Sequence, residues 1–169
     1  MRPEKGRFMF YFITIKTNHN HNVLNNKEVF DIIKYSIFHY GKGYRVLTIG
    51  FVVMPDHLHW LFYQKYNLPI TTLVKNIKGF SANKILSFYK HSHDDILEMF
   101  LLRKYKKRNH FFRLWQTRYH VRMFDNNEEL ENKVRYMINN PVKTGLVDST
   151  DKYKFMYIRE GSLTPTDTQ

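Results

Sequence analysis

Residues 50–63 are the part of this sequence that most constrains its fold. They read GFVVMPDHLHWLFY, two apolar runs separated by Pro55 and Asp56. Runs rich in Val, Phe, Trp and Tyr are typical of buried strands, and a Pro-Asp pair is typical of a turn. We therefore predict two neighbouring antiparallel strands over 44–54 and 57–63, joined by a short connection.

The second of these strands carries two histidines on one face. Because alternate side chains of a strand point the same way, His57 and His59 share a face with Leu61 and Tyr63. Two imidazoles held two residues apart on a rigid strand form half of a metal site. The alternative is a pair of polar residues on a solvent-facing strand, and the spacing alone does not decide between the two. The residues expected on the opposite face are Leu58, Trp60 and Phe62.

Two further His-x-His pairs occur in the chain. His19 and His21 lie in an Asn-rich stretch, and His91 and His93 lie in a Ser- and Asp-containing stretch. A pair in a polar loop must be ordered before it can bind a metal, so we interpret both as solvated loop histidines.

The hydrophobic periodicity predicts the other elements. We expect further strands over 8–17, within 111–124 and over 153–158, and helices over 27–40, 70–89 and 127–139. The last helix is expected to end before Pro141, and 96–107 to form a short helix or a connector. This order predicts a ferredoxin-like split βαβ fold of the α+β class, an antiparallel four- to five-stranded sheet with helices on one face. We expect one domain over 1–160 and a flexible tail over 161–169.

The charge of the chain indicates an anionic partner. Its net charge is +12, from 27 Lys and Arg against 15 Asp and Glu, and it has no cysteine. Nucleic acid is the usual partner of such a protein, although a basic surface without a specific partner is the alternative. The absence of cysteine excludes disulfides, thiolate zinc sites and a cysteine nucleophile, and fits a reducing cytosol. No apolar stretch approaches the roughly 20 residues of a membrane helix, so no membrane partner is expected.

Basic and aromatic residues alternate over 103–118, which reads RKYKKRNHFFRLWQTR. Cations neutralise phosphates while flat rings stack on unpaired bases, so this mixture suits single-stranded or structured nucleic acid. Trp115 is expected to anchor the core rather than to stack on a base. The candidate nucleic-acid-binding residues are Arg103, Lys104, Lys106, Lys107, Arg108, Arg113, Arg118, Tyr119, His120, Arg122 and Lys143.

The predicted helix over 127–139 and the residue that follows it carry a polar row beside the apolar stripe. Glu129, Lys133, Tyr136 and Asn140 follow one another at helical spacing, and the last two lie one turn apart. Asn140 can offer an amide oxygen to a metal, with the phenol oxygen of Tyr136 beside it. The alternatives are a tyrosine at the rim of the core and a helix C-cap before Pro141.

Three segments together resemble a known family. GFVVMPDHLHWLF, LWQTRYHVRMFDNNEEL and VRYMINNPVKTGLV are similar to the signature blocks of the REP-associated tyrosine transposases, single-tyrosine members of the HUH endonucleases. The resemblance extends from the first strand to about residue 147. It implies that His57 and His59, flanking Leu58, are metal ligands, that Asn140 is the third ligand, and that Tyr136 is the nucleophile.

The activity implied by this resemblance is that of a metal-dependent transposase. Such an enzyme nicks and rejoins single-stranded DNA through a 5′-phosphotyrosine, here at hairpin-bearing repeats. The ligand set suits Mg²⁺ or Mn²⁺, although imidazoles also accept Zn²⁺, Ni²⁺ or Co²⁺. We expect a monomer or a homodimer in the cytoplasm, associated with the nucleoid. Val121 and Asp125 depart from the family pattern and bear on DNA contacts.

Two other functions are compatible with the same residues. One is a ferredoxin-like module that binds nucleic acid without chemistry. The other is a metal hydrolase in which metal-bound water, rather than tyrosine, attacks the substrate.

Overall fold

The computed structural model describes residues 8–65, 69–92 and 113–162. Within these ranges, five strands and three longer helices follow the predicted order and confirm the α+β class. The strands are β1 (Phe8–Lys16), β2 (Leu47–Val53), β3 (His57–Lys65), β4 (His120–Phe124) and β5 (Met156–Ile158). The helices are α1 (Lys27–Gly43), α2 (Ile70–Ser92) and α3 (Asn127–Lys143).

The five strands form one antiparallel sheet in the order β4-β1-β3-β2-β5. β3 is therefore central, with β1 and β2 on either side. This is the split βαβ arrangement of a ferredoxin-like sheet, extended by β5 beyond β2. In the described part of the chain, every helix is too short or too polar to span a bilayer.

The helices cover both faces of the sheet, so the prediction that they lie on one face was wrong. Trp60 and Phe62 point into a core shared with α1 and α2, whereas Leu61 points into a second core beneath α3. Both Trp60 and Leu61 are fully buried. β3 carries buried apolar side chains on both of its faces. Each face must therefore be covered by its own layer of helices, so a single layer is not sufficient.

All three helices are longer than the sequence predicted, and α2 continues to Ser92 instead of ending at residue 89. α1 continues to Gly43, and the chain then turns through Arg45 at φ 53° before β2 begins at Leu47. α3 continues through Pro141, which lies in its last turn. A proline removes one helical hydrogen bond, and here the N–H of Thr144 still reaches the carbonyl of Asn140 at 3.0 Å. The expected start of α3 is confirmed, because the Asn126 side chain accepts from the N–H of Glu129.

A bulge in β2 allows α3 to approach the sheet. The pairing of β2 with β3 shifts between Thr48 and Gly50. A Cβ on Gly50 would lie 2.7 Å from Cδ1 of Ile158 and 3.2 Å from Cε of Met137. Glycine is therefore required by the close contact of β5 and α3 with this strand. The same contact fixes the height of α3 above the histidine face.

Candidate active site

The two histidines of β3 lie side by side on the face that α3 covers. Their Nε2 atoms are 3.1 Å apart, and their ring centroids are separated by 4.6 Å. Each Nδ1 atom has its own partner. Nδ1 of His57 is 2.5 Å from Oδ1 of Asp56, and Nδ1 of His59 is 2.8 Å from Oγ1 of Thr14. Both imidazoles therefore present Nε2 to the same place.

Asp56 and Thr14 were not identified as site residues from the sequence. Asp56 was interpreted only as part of a turn, although a carboxylate directly before a histidine was a usable signal. Thr14 gave no signal, because its position opposite His59 depends on the register of β1 against β3. A contact across neighbouring strands is fixed by pairing, which a single sequence does not display.

His59 is held neutral by its surroundings. The residue is 4% exposed, and its ring stacks on Phe12 at a centroid distance of 5.2 Å. Burial is the largest cause of the fall in the pKa of His59 to about 3, and the neighbouring His57, Lys133 and Lys16 contribute to the same shift. Near neutral pH, His59 is thus in the uncharged form that coordinates a metal.

Tyr136 reaches the same place from α3. Its hydroxyl lies 3.4 Å from Nε2 of His59, and its ring makes an edge contact with the imidazole at 5.2 Å between centroids. The residue is 41% exposed, so a phosphodiester can approach the hydroxyl from solvent. The structure therefore brings the tyrosine of the third motif to the histidines of the first.

Lys133 is a further charged residue beside Tyr136, and the sequence prediction gave it no role. Its Nζ atom lies 5.0 Å from the centroid of the Phe12 ring and 6.0 Å from that of Tyr136. The carboxylate one turn earlier, Glu129, accepts instead from Nε of Arg122 at 2.9 Å. Lys133 therefore places a positive charge beside the phenol, and it forms no salt bridge with a carboxylate among the residues the structure describes.

Asn140 lies one turn beyond Tyr136 and is 6% exposed. The alternative that it caps the helix is wrong, because α3 continues to Lys143 and Thr144 occupies the C-cap. Its Nδ2 atom is buried without a hydrogen-bond partner. A buried N–H donor without a partner is costly, and it needs an acceptor such as a phosphate oxygen. The atom of this amide that can bind a metal is its oxygen, Oδ1.

These residues fit a divalent cation. Over 8–65, 69–92 and 113–162 no group of three or more His, Cys, Asp or Glu is placed to hold a metal, so a third protein ligand beside the two histidines would be a residue of another type, such as Asn140. The 3.1 Å between the Nε2 atoms of His57 and His59 matches adjacent ligands of a divalent ion, which lie about 3.0 Å apart in octahedral geometry. Two neutral imidazoles and an amide oxygen suit such an ion.

The candidate DNA-binding residues divide into three groups. Arg103, Lys104, Lys106, Lys107 and Arg108 lie outside the described residues, as does the possible helix over 96–107. A second group lies on the side of β4 that faces α3. His120 is opposite Thr14 in the β1–β4 pairing and Arg122 is opposite Phe12, so both share the face of His59. Both are exposed.

The third group lies on other segments than β4. Arg113 and Arg118 are exposed on the segment before β4, and Lys143 is exposed at the end of α3. Tyr119 is half-buried and packs against the core of α1 and α2. Trp115 is buried and donates from Nε1 to Oγ of Ser81 at 3.0 Å, which confirms it as a core residue.

The two departures from the family pattern lie within β4 and directly after it. Val121 is 48% exposed and pairs with Ile13, so it points away from the histidines. Asp125 is exposed in the connection between β4 and α3. His19 and His21 lie in the loop after β1 with ring centroids 5.8 Å apart, and His93 lies outside the described residues.

Comparisons with known proteins all find similarity to transposases. A family model described as "Transposase IS200 like" matches residues 8–140. Among solved structures, the chain is similar to a REP-associated tyrosine transposase bound to a REP hairpin, with 17% identity and a TM-score of 0.63 over 92% of this chain and 82% of the other. It is also similar to a candidate transposase from Deinococcus radiodurans R1, with 22% identity and a TM-score of 0.51 over 83% of this chain and 97% of the other. No curated protein matches the sequence. At these identities the two structures support the fold.

Proposed function

Because the chain belongs to the family of IS200-like transposases, we propose that it is a metal-dependent enzyme that nicks and rejoins single-stranded DNA through Tyr136. The family match confirms the resemblance carried by the three sequence motifs. The observation that most supports the proposal is the meeting of two distant segments. The hydroxyl of Tyr136 lies 3.4 Å from Nε2 of His59, which lies 3.1 Å from Nε2 of His57.

The proposed chemistry is a phosphoryl transfer to tyrosine. The phenol oxygen of Tyr136 attacks the scissile phosphorus, the bond from phosphorus to the 3′ oxygen breaks, and the phenol proton is balanced by protonation of the leaving oxygen. The products are a 5′-phosphotyrosine and a free 3′-hydroxyl. No bond energy is lost to water, so the 3′-hydroxyl of a second strand can reverse the step and join DNA.

The residues of the site divide this work. His57, His59 and Asn140 would hold the metal, with Mg²⁺ or Mn²⁺ the expected ions. Such an ion, when bound, neutralises charge on the scissile phosphate. A tyrosine phenol is a weak nucleophile while it holds its proton, so a positive charge that stabilises the developing phenolate favours the attack. Lys133, 6.0 Å from the Tyr136 ring centroid, supplies one from the protein itself.

The expected substrate is single-stranded DNA with a hairpin. Support comes from the net charge of +12 and from the bound REP hairpin of the similar transposase. His120 is exposed on the outer strand β4 and shares the face of His59, so it extends this surface to the edge of the sheet. Such a substrate implies action at the nucleoid, by a monomer or a homodimer.

The proposal is tested by trapping the covalent intermediate. The full chain is incubated with end-labelled hairpin DNA that carries a single-stranded flank, in Mn²⁺, and the products are separated under denaturing conditions. The wild type is expected to give a slowly migrating protein–DNA adduct, and Tyr136→Phe none. Tyr35→Phe, at an exposed tyrosine of α1, is the matched control and should form the adduct normally.

Three results would contradict this assignment. An adduct that persists in Tyr136→Phe would exclude this residue as the nucleophile. Normal cleavage by His57→Ala would exclude the metal site. Tight DNA binding without any adduct or cleavage would favour a binding module, and turnover without an adduct would favour attack by metal-bound water.

A further inference from the structure

We propose that Asp56 and Thr14 are positioning residues that fix the two imidazoles so that both Nε2 atoms face one cation. The inference rests on the proposed function and adds the groups that prepare its metal site. Neither residue belongs to the ligand set implied by the sequence motifs. Each contacts the far side of one histidine ring.

Asp56 determines which nitrogen of His57 carries a proton. A carboxylate has no hydrogen to donate, so at 2.5 Å its Oδ1 accepts from Nδ1–H of His57. A neutral imidazole has only one N–H, and the lone pair of His57 is therefore on Nε2. The contact is half-shielded from water, with the two side chains 18% and 28% exposed. It therefore persists better than an ion pair on the open surface.

Thr14 holds His59 from the neighbouring strand. The register of β1 against β3 places the two residues directly opposite each other, and Oγ1 lies 2.8 Å from Nδ1. The hydroxyl can accept from Nδ1–H, which leaves the lone pair of His59 on Nε2. Phe12, two residues before Thr14, stacks on the ring of His59 at 5.2 Å. One hydrogen bond and one stacking contact thus restrict the ring to a single orientation.

Together, the contacts of Asp56 and Thr14 prevent both imidazole rings from flipping. An imidazole that turns over about its Cβ–Cγ bond exchanges a nitrogen for a carbon at the metal position. With both Nδ1 atoms bound, the Nε2 atoms stay 3.1 Å apart and aimed at the same place. Partners of this kind orient metal-bound histidines, and their loss weakens metal affinity by roughly 10- to 100-fold.

The test measures metal binding without DNA. Mn²⁺ is titrated calorimetrically into the full-length wild type, Asp56→Ala, Thr14→Val and Thr14→Ser. Asp56→Ala and Thr14→Val are expected to bind roughly 10- to 100-fold more weakly. Thr14→Ser keeps the hydroxyl and should bind like the wild type. The control is Asp31→Ala, which removes an exposed carboxylate of α1 paired with Lys27.

A second measurement does not depend on any variant folding. Two-bond ¹H–¹⁵N spectra of the metal-free wild type should show His57 protonated at Nδ1. An Nδ1 of His57 that carries no proton would overturn the assignment of Asp56.

The outcomes separate the inference from the proposed function. Wild-type Mn²⁺ affinity in folded Asp56→Ala and Thr14→Val would refute the positioning role alone. Failure of the wild type to bind Mn²⁺ at all would refute the metal site, and with it the proposed function. Weaker binding in both variants, restored in Thr14→Ser, supports the inference.

Discussion

Acid is expected to destabilise this protein through His59, and the magnitude follows from its burial. The pKa of His59 falls from 6.5 to about 3 in the folded chain, with burial the main cause. Below pH 6.5 the unfolded chain therefore binds a proton that the folded chain does not. The contribution is complete above that pH and is lost as the pH falls towards the folded value. At about pH 5 the loss is about 2 kcal/mol, since each pH unit costs about 1.4 kcal/mol.

The assay is urea unfolding near pH 7.5 and near pH 5, with EDTA present so that no metal stabilises the folded state. The free energy of unfolding of the wild type should fall between the two conditions. In His59→Gln, which has no titrating ring, this fall should be smaller by about 2 kcal/mol. His120→Gln removes an exposed histidine from the same face and should behave like the wild type. An equal fall in His59→Gln and in the wild type would refute the reasoning.

Three further predictions concern other parts of the molecule. Gly50→Ala should lower the free energy of unfolding by about 1–3 kcal/mol, because its Cβ would lie 2.7 Å from Cδ1 of Ile158. Gly79→Ala should raise the free energy of unfolding by about 0.5–1 kcal/mol, because a Cβ on Gly79 in helix α2 would have no atom within 4 Å. Urea unfolding measures both variants, and equal effects would contradict the steric argument. Lys133→Gln should slow single-turnover cleavage about tenfold or more, whereas Lys133→Arg should retain activity. An unchanged rate in Lys133→Gln would exclude a role for this positive charge in cleavage. Affinity for single-stranded DNA should fall steeply with salt in anisotropy titrations, and Arg113→Gln should reduce the logarithmic slope by about 0.7 if this exposed cation contacts a phosphate.

The sequence predicted most of what depends on local periodicity. The alternation over 57–63 assigned His59 and Leu61 to one face and Trp60 to the other, and the two cores confirm it. Helical spacing placed Tyr136 and Asn140 one turn apart on α3. Such patterns are encoded within a few residues of the chain, so a single sequence displays them.

What the sequence did not predict depends on contacts between distant segments. Which face of the sheet each helix covers is decided by packing, and the order of the helices along the chain does not determine it. Helix α3 continues through Pro141, and this residue is buried by tertiary contacts that the local sequence does not display. The bond from Thr14 to His59 depends on strand register. These features are decided by packing, which overrides local preference.

The sheet and helix α3, which carry the two halves of the site, are expected to resist local unfolding to different degrees. The histidines lie on the central strand, whose ladder is bonded on both sides, and local unfolding rarely reaches such strands. Helix α3 holds Tyr136 and Asn140 and buries two apolar side chains against the sheet, Val134 and Met137. Its amides should therefore exchange with deuterium before those of β1 and β3. A brief opening of α3 would withdraw the proposed nucleophile and the amide together while leaving the imidazole pair in place.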